Sequence, residues 1–338
     1  MKDSNQRLLL TVVLCMAVAL VWSLVFQPKQ QQRPSAQQTS PQPAQPPGAA
    51  APAPSAPASG SAAAPASGGP HATSAPRPPA RTVALDSEKL HVVVTSEGAA
   101  LRSVQLKGDK FQRRKRGSSE LTQVDLVDPQ PGVPLPLSTV LRDGGGADLV
   151  PADAAYEVVR HDGHSAVFRT AVGGVSVTKT MTLDPQLYRV DLSVELRSDA
   201  VFSGQLVALS TGHGEAPSGG FFTGHTNAPA RPICKAGGKL ERLSVGDKHS
   251  AWDGPGPAAF AGIDEQYFIR AAVPPQGSPA SCHIEAKPDG ALLATLAVPV
   301  SVPAGGAASE PFVVYAGPKD TDELGAVAPV LKDSVDLG

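Results

Sequence analysis

The sequence has no surplus of charge of either sign. Its 338 residues carry 29 Lys and Arg against 31 Asp and Glu, a net charge of −2, so no global field points to nucleic acid or to an acidic ligand. Aromatic residues are scarce, at 4%, and cysteine occurs three times. The eight histidines are scattered, and none belongs to an H-E-x-x-H or paired-cysteine pattern, which leaves a metal site without support. No G-x-S-x-G elbow, phosphate loop or dinucleotide fingerprint is present. Helical periodicity is almost missing as well. No catalytic, cofactor-binding or metal-ligating residue is therefore expected, and neither is a small-molecule ligand.

Residues 27–81 show the most local deficit. They contain no Asp, Glu, Ile, Leu, Val or aromatic residue, but fourteen of the 34 prolines. Such a stretch cannot bury enough apolar surface to offset its ordering entropy, and is expected to be a disordered Pro/Ala/Ser/Gln-rich tether. A flexible coil of that length reaches on the order of 40 Å.

One long hydrophobic run is present, over residues 8–26, LLLTVVLCMAVALVWSLVF, with no charge in it. As a helix it would be roughly 28 Å long, enough to cross a bilayer. Lys2 and Arg7 precede it, favouring a cytoplasmic N-terminus over residues 1–7 with everything beyond the span exported. A cleavable signal peptide fits less well, because Ala17 and Ala19 lie inside the run. Cys15, preceded by Leu14, is not placed as a lipoprotein cysteine would be.

Beyond residue 82 the dominant signal is alternation of period two, which marks half-buried strands. Val175, Val177, Lys179, Met181 and Leu183 alternate with Ser176, Thr178, Thr180 and Thr182. After Asp184-Pro185-Gln186, the residues Tyr188, Val190, Leu192, Val194 and Leu196 take the same role, which predicts a hairpin. Less regular runs occur at 90–95, 101–106, 156–161, 166–172, 205–210, 266–273, 282–286, 291–300 and 311–316. A dozen strands predict a mainly β fold over 82–318, a large antiparallel β-super-sandwich. Residues 212–248, rich in Gly and Pro, read as a long irregular stretch. The 266–273 run places Tyr267 in the core.

Three local features remain. His213 and Glu215 lie two apart in a glycine-rich loop; paired acid and base chemistry would need them within hydrogen-bond reach, as in sandwich proteins that bind or process sugars. Residues 110–116, KFQRRKR, hold five basic residues, read either as a solvated hairpin tip or as a contact for anionic lipid headgroups. Cys234 and Cys282 are the two cysteines in the exported part; a disulfide would close some 47 intervening residues and contribute roughly 3 to 4 kcal/mol. The residues alone leave that pairing open.

The C-terminal end, 319–338, reads as a short helix. Asp320 or Thr321 can cap it, Asp322 and Glu323 suit its first turn, Leu324, Val327 and Leu331 recur at helical spacing, and Pro329 should interrupt it. Taken with two other stretches, this end carries a resemblance. Asp3-Ser4-Asn5-Gln6-Arg7-Leu8-Leu9, Phe260-Ala261-Gly262-Ile263-Asp264-Glu265-Gln266-Tyr267-Phe268, and Tyr315 to Leu324 followed by Val335-Asp336-Leu337-Gly338 resemble the YidC branch of the YidC/Oxa membrane protein insertases. Phe260 stands where that family usually has Trp. The resemblance implies an N-terminal anchor in the bacterial inner membrane and a periplasmic domain like the sugar-mutarotase fold. It also implies contact with the Sec translocon and nascent membrane proteins. In the family, insertion is done by a five-span membrane core that is not encoded in these residues, so no insertase residue carries over and no enzymatic activity is expected. The runner-up is a tethered periplasmic carbohydrate-binding or sugar-processing sandwich.

Overall fold

A computed structural model of the chain describes residues 79–114, 119–215 and 229–335. The hydrophobic run at 8–26 and nearly all of the proline-rich stretch lie outside these residues. Among the described residues no helix is long and apolar enough to cross a membrane.

The described residues contain twenty strands. In chain order they are β1 (Thr82–Asp86), β2 (Leu90–Thr95), β3 (Ala100–Leu106), β4 (Gln112–Arg114), β5 (Leu121–Gln123), β6 (Thr139–Asp143), β7 (Asp148–Val150), β8 (Glu157–His161), β9 (Ser165–Val172) and β10 (Val175–Leu183). The second half comprises β11 (Arg189–Ser198), β12 (Phe202–His213), β13 (Arg231–Ala236), β14 (Lys239–Arg242), β15 (Ser250–Asp253), β16 (Ala258–Asp264), β17 (Phe268–Val273), β18 (Ser281–Ala286), β19 (Ala291–Val302) and β20 (Gly306–Pro318). One short helix, α1 (Thr321–Val327), and a 3-10 turn, Pro329–Ser334, follow.

All strand pairings are antiparallel. The two large sheets have the orders β14-β13-β16-β17-β20-β11-β10-β9-β8 and β15-β18-β19-β12-β6-β7, with a three-stranded β1-β2-β3 sheet and a two-stranded β4-β5 ribbon beside them. The hairpin of β10 and β11 shows why. Every second residue of β10 is buried, and the register Val177↔Leu196, Lys179↔Val194 and Met181↔Leu192 places the inward rows of both strands on one face. Inward residues of both sheets join one core that includes Phe168, Leu192, Phe260, Leu296 and Phe312. Each such side chain contributes roughly 1.5 to 3 kcal/mol by burial. The fold is thus an antiparallel sandwich closed by a short helix.

Cys234 on β13 and Cys282 on β18 form a disulfide with 6.6 Å between their Cα atoms. It staples the nine-stranded sheet to the six-stranded one.

Two expectations need correction. The stretch 212–248 is not irregular throughout, because β13 and β14 lie within it and pair as Ile233↔Arg242 and Cys234↔Glu241. A proline and two glycines break the alternation there, while pairing to β16 supplies the order that local pattern lacks. Tyr267 is not in the core: the strand begins at Phe268, and Tyr267 sits in the preceding turn, 64% exposed. The turn is closed by the Glu265 amide donating to the Phe268 carbonyl at 2.9 Å.

At the C-terminal end the structure has the short helix that the sequence predicts. The Asp320 carboxylate accepts from the Asp322 and Glu323 amides, capping α1, and after Ala328 the chain turns into the 3-10 turn that Pro329 opens. Leu324 and Leu331 are fully buried against the sandwich.

Candidate functional site

The turn between β16 and β17 sits between two features that share its residues. On one side lies the attachment of the C-terminal segment; on the other, an open cleft.

The attachment centres on Asp264, the last residue of β16. Its carboxylate is 1% exposed and meets three cations: Arg242 Nε at 2.8 Å, Lys319 Nζ at 2.8 Å and Arg231 Nη2 at 3.7 Å. Lys319 belongs to the segment leaving β20, and its amide also donates to the Tyr267 carbonyl at 2.8 Å. Arg242 reaches further, with Nη2 donating to the Ser334 carbonyl at 2.6 Å. Lys235 pairs with Asp333, and Lys89 with Glu323 at 2.6 Å. One buried carboxylate therefore ties edge strand, turn and C-terminal segment together. Breaking a buried pair by removing one partner costs about 3 to 5 kcal/mol, because the other charge is left uncompensated.

Aromatic packing reinforces the same end. Tyr315 meets Tyr188 edge-on at 6.2 Å, Tyr188 meets Phe111 at 6.2 Å, and Phe111 meets Phe268 at 6.1 Å. The Tyr315 hydroxyl donates to the Pro318 carbonyl at 2.5 Å, and burial raises its pKa. Gly317 passes directly beneath Tyr188, where an added Cβ would lie 2.6 Å from the ring. Only glycine fits between Ala316 and Pro318.

The cleft has a volume of about 330 Å³, and its lining includes Arg113, His213, Glu265, Gln266, Tyr267 and Arg270. Arg270 is 6% exposed; its Nη2 donates to the Thr211 carbonyl at 3.0 Å, while Nε and Nη1 find no partner among the described residues. Burial lowers its pKa, opposed by the fields of Glu265 and Asp125. Burial likewise raises the Glu265 carboxyl above its ordinary value, against the fields of Arg270 and Arg113. The site is polar and mixed in sign.

His213, at the end of β12, does line this cleft, but no hydrogen bond joins it to Glu215 among the described residues. The acid and base pair weighed for sugar chemistry is not assembled. No group of three or more His, Cys, Asp or Glu side chains among the described residues could hold a metal ion. Of the basic run, Lys110 to Arg114 are described, and Gln112, Arg113 and Arg114 are exposed on β4. The Asp264 cluster and Arg270 were invisible to local reading, since their partners lie on β12, β13, β14 and the C-terminal segment.

Comparison with known proteins matches residues 82–338 to the family described as the YidC periplasmic domain. Along its whole length the chain is 35% identical to a protein of Anaeromyxobacter sp. (strain Fw109-5) and 36% identical to one of Anaeromyxobacter sp. (strain K), each named membrane protein insertase YidC. A protein of the same name from Syntrophus aciditrophicus is 26% identical over 76% of the chain. The chain spans about 60% of the length of the two Anaeromyxobacter relatives and 47% of the Syntrophus one. Among solved structures, a galactose mutarotase related enzyme from Lactobacillus acidophilus overlaps 70% of this chain and 97% of its own at a TM-score of 0.44. An aldose epimerase homologue from C. elegans overlaps 70% and 98% at 0.46, and both are 10% identical. Nothing about function follows from likeness of that degree.

Proposed function

The chain belongs to the family of YidC periplasmic domains, and from that membership we propose that it is the anchor and periplasmic portion of a bacterial inner-membrane insertase. In this reading residues 1–7 lie in the cytoplasm, 8–26 cross the membrane, 27–81 tether the sandwich, and 319–338 lead back toward the bilayer. The sandwich assists insertion and folding of integral membrane proteins by contact with the Sec translocon or with the nascent chains, without catalysis. The polar path that insertion demands, because a charge at the bilayer centre costs at least a few kcal/mol, is assigned to the length of the relatives that this chain does not span.

The observation that carries the reading is the family match over residues 82–338. The Asp264 cluster supports it physically, since a domain that acts beside a membrane core gains from a fixed exit toward that core. Placing a photo-crosslinking amino acid at Tyr267 in living cells tests it. Adducts with translocon subunits or newly made membrane proteins are expected. Adducts with soluble periplasmic proteins alone would count against it.

A further inference from the structure

Two side chains lining the cleft beside the turn between β16 and β17 hold hydrogen-bonding capacity that the sandwich leaves unused. Arg270 is 6% exposed, and its Nη2 donates to the Thr211 carbonyl at 3.0 Å, but its Nε and Nη1 are shut off from solvent with no partner among the described residues. Gln266 Oε1 is in the same state. Folded proteins pair nearly all such groups. An unmet donor and an unmet acceptor in the lining of one cleft therefore call for a guest that supplies the complement of each.

The charges around them say what that guest is not. Arg113 and Arg270 share the lining with Asp125, Asp128 and Glu265, so an anion would meet three carboxylates and a cation two guanidinium groups. Asp125 is in addition already engaged, by Ser103 Oγ at 2.5 Å and by the Val104 and Val127 amides at 2.9 and 3.0 Å. The chemistry that fits is neutral, and it accepts and donates at once. A main-chain amide does both, with a carbonyl for Arg270 and an N–H for Gln266. Tyr267, 64% exposed in the same lining, adds an aromatic face for a side chain beside that amide. The turn already receives one chain segment through its main chain, the Lys319 amide donating to the Tyr267 carbonyl at 2.8 Å.

We infer that this cleft binds an extended stretch of polypeptide through its main chain. Arg270 donates to a carbonyl of the guest, the flexible Gln266 side chain turns outward to accept from an N–H, and the Tyr267 ring rests against a neighbouring side chain. The inference rests on the reading in which the sandwich contacts nascent membrane proteins, and it names where such a chain is held.

The test uses the full chain in detergent micelles and three uncharged probes: an acetylated, amidated peptide of alternating serine and leucine, the same peptide N-methylated along its main chain, and galactose. The plain peptide should bind by calorimetry and slow exchange of the 265–268 amides several-fold. Methylation removes the N–H donors and keeps the carbonyls, and should weaken binding about tenfold. Gln266→Met keeps the size of the side chain and removes its acceptor, and should weaken binding of the plain peptide by a similar factor; unchanged exchange in β10 and β11 certifies that the variant is folded. No binding of the plain peptide, equal binding of the methylated one, or wild-type affinity in Gln266→Met overturns the inference. Galactose slowing the same amides in place of the peptide also overturns it. In each of these cases crosslinks from position 267 to newly made membrane proteins leave the insertase reading standing, whereas peptide binding without such crosslinks in cells counts against that reading alone.

Discussion

Lys179 occupies an inward position of β10, between Val177 and Met181, and is completely buried. Its Nζ donates to the Leu137 carbonyl at 2.7 Å and the Gly98 carbonyl at 2.9 Å, and lies 5.6 Å from the Tyr156 ring centroid. Both carbonyls belong to residues in the left-handed region: φ is 62° at Leu137 and 68° at Gly98, with Ala99 at 42° beside it. The amine thus fastens two turns that the backbone alone disfavours. Burial, with no ion-pair partner among the described residues to offset it, pushes its pKa well below the ordinary lysine value. In Lys179→Met the apolar stem is kept and the two carbonyls lose their donor. At about 1 to 3 kcal/mol per stranded buried group, reduced by relief from burying an amine, the net loss near neutral pH should be about 1 to 4 kcal/mol. The pH dependence has a definite sign. Between the depressed folded pKa and the unfolded value of about 10.4 the unfolded chain binds more protons, so the wild type gains stability as pH rises. The Met variant lacks that gain, and its deficit should widen between pH about 7 and about 9, by up to about 1.4 kcal/mol per pH unit. Urea unfolding of both proteins at several pH values measures this. A deficit that narrows with rising pH, or a variant more stable than wild type at neutral pH, would refute the reasoning.

Replacing both Cys234 and Cys282 by Ala should lower stability by about 4 kcal/mol, the loop entropy for a separation of 48 residues, read as a fall in the urea midpoint; an unchanged midpoint would mean the staple adds nothing. Asp264→Asn should cost about 3 to 5 kcal/mol and speed hydrogen exchange in 319–335 before the rest of the sandwich, because three cations lose their shared counter-charge; uniform acceleration everywhere would argue against a local attachment. Tyr267→Ala should shift stability by no more than about 0.5 kcal/mol, as for other exposed positions, and a loss of 2 kcal/mol or more by calorimetry would return the ring to the core.

Much of the sandwich was legible because alternation and half-burial are the same fact seen twice. The predicted strands at 90–95 and 175–183 coincide with β2 and β10, and the 291–300 run lies inside β19. Alternation even placed Lys179 inward, although charge would have argued for the surface. The missed strands have other origins. β16, Ala-Ala-Phe-Ala-Gly-Ile-Asp, is buried on nearly every residue, so it has no polar face to alternate. β13 is broken by Pro232, and β6 is short; each owes its order to neighbours distant in sequence. The candidate site was hidden for the same reason. Arg270 looks like an ordinary charge within a strand, and Asp264 like one at a strand end, until the sheet brings Thr211, Arg242 and Lys319 to them.

The claim that a membrane anchor holds the sandwich outside the cytoplasm is tested by paired reporter fusions after Gly338. An enzyme active only in the periplasm should be active there, and one active only in the cytoplasm should be silent. Activity of the cytoplasmic reporter with silence of the periplasmic one would contradict the claim.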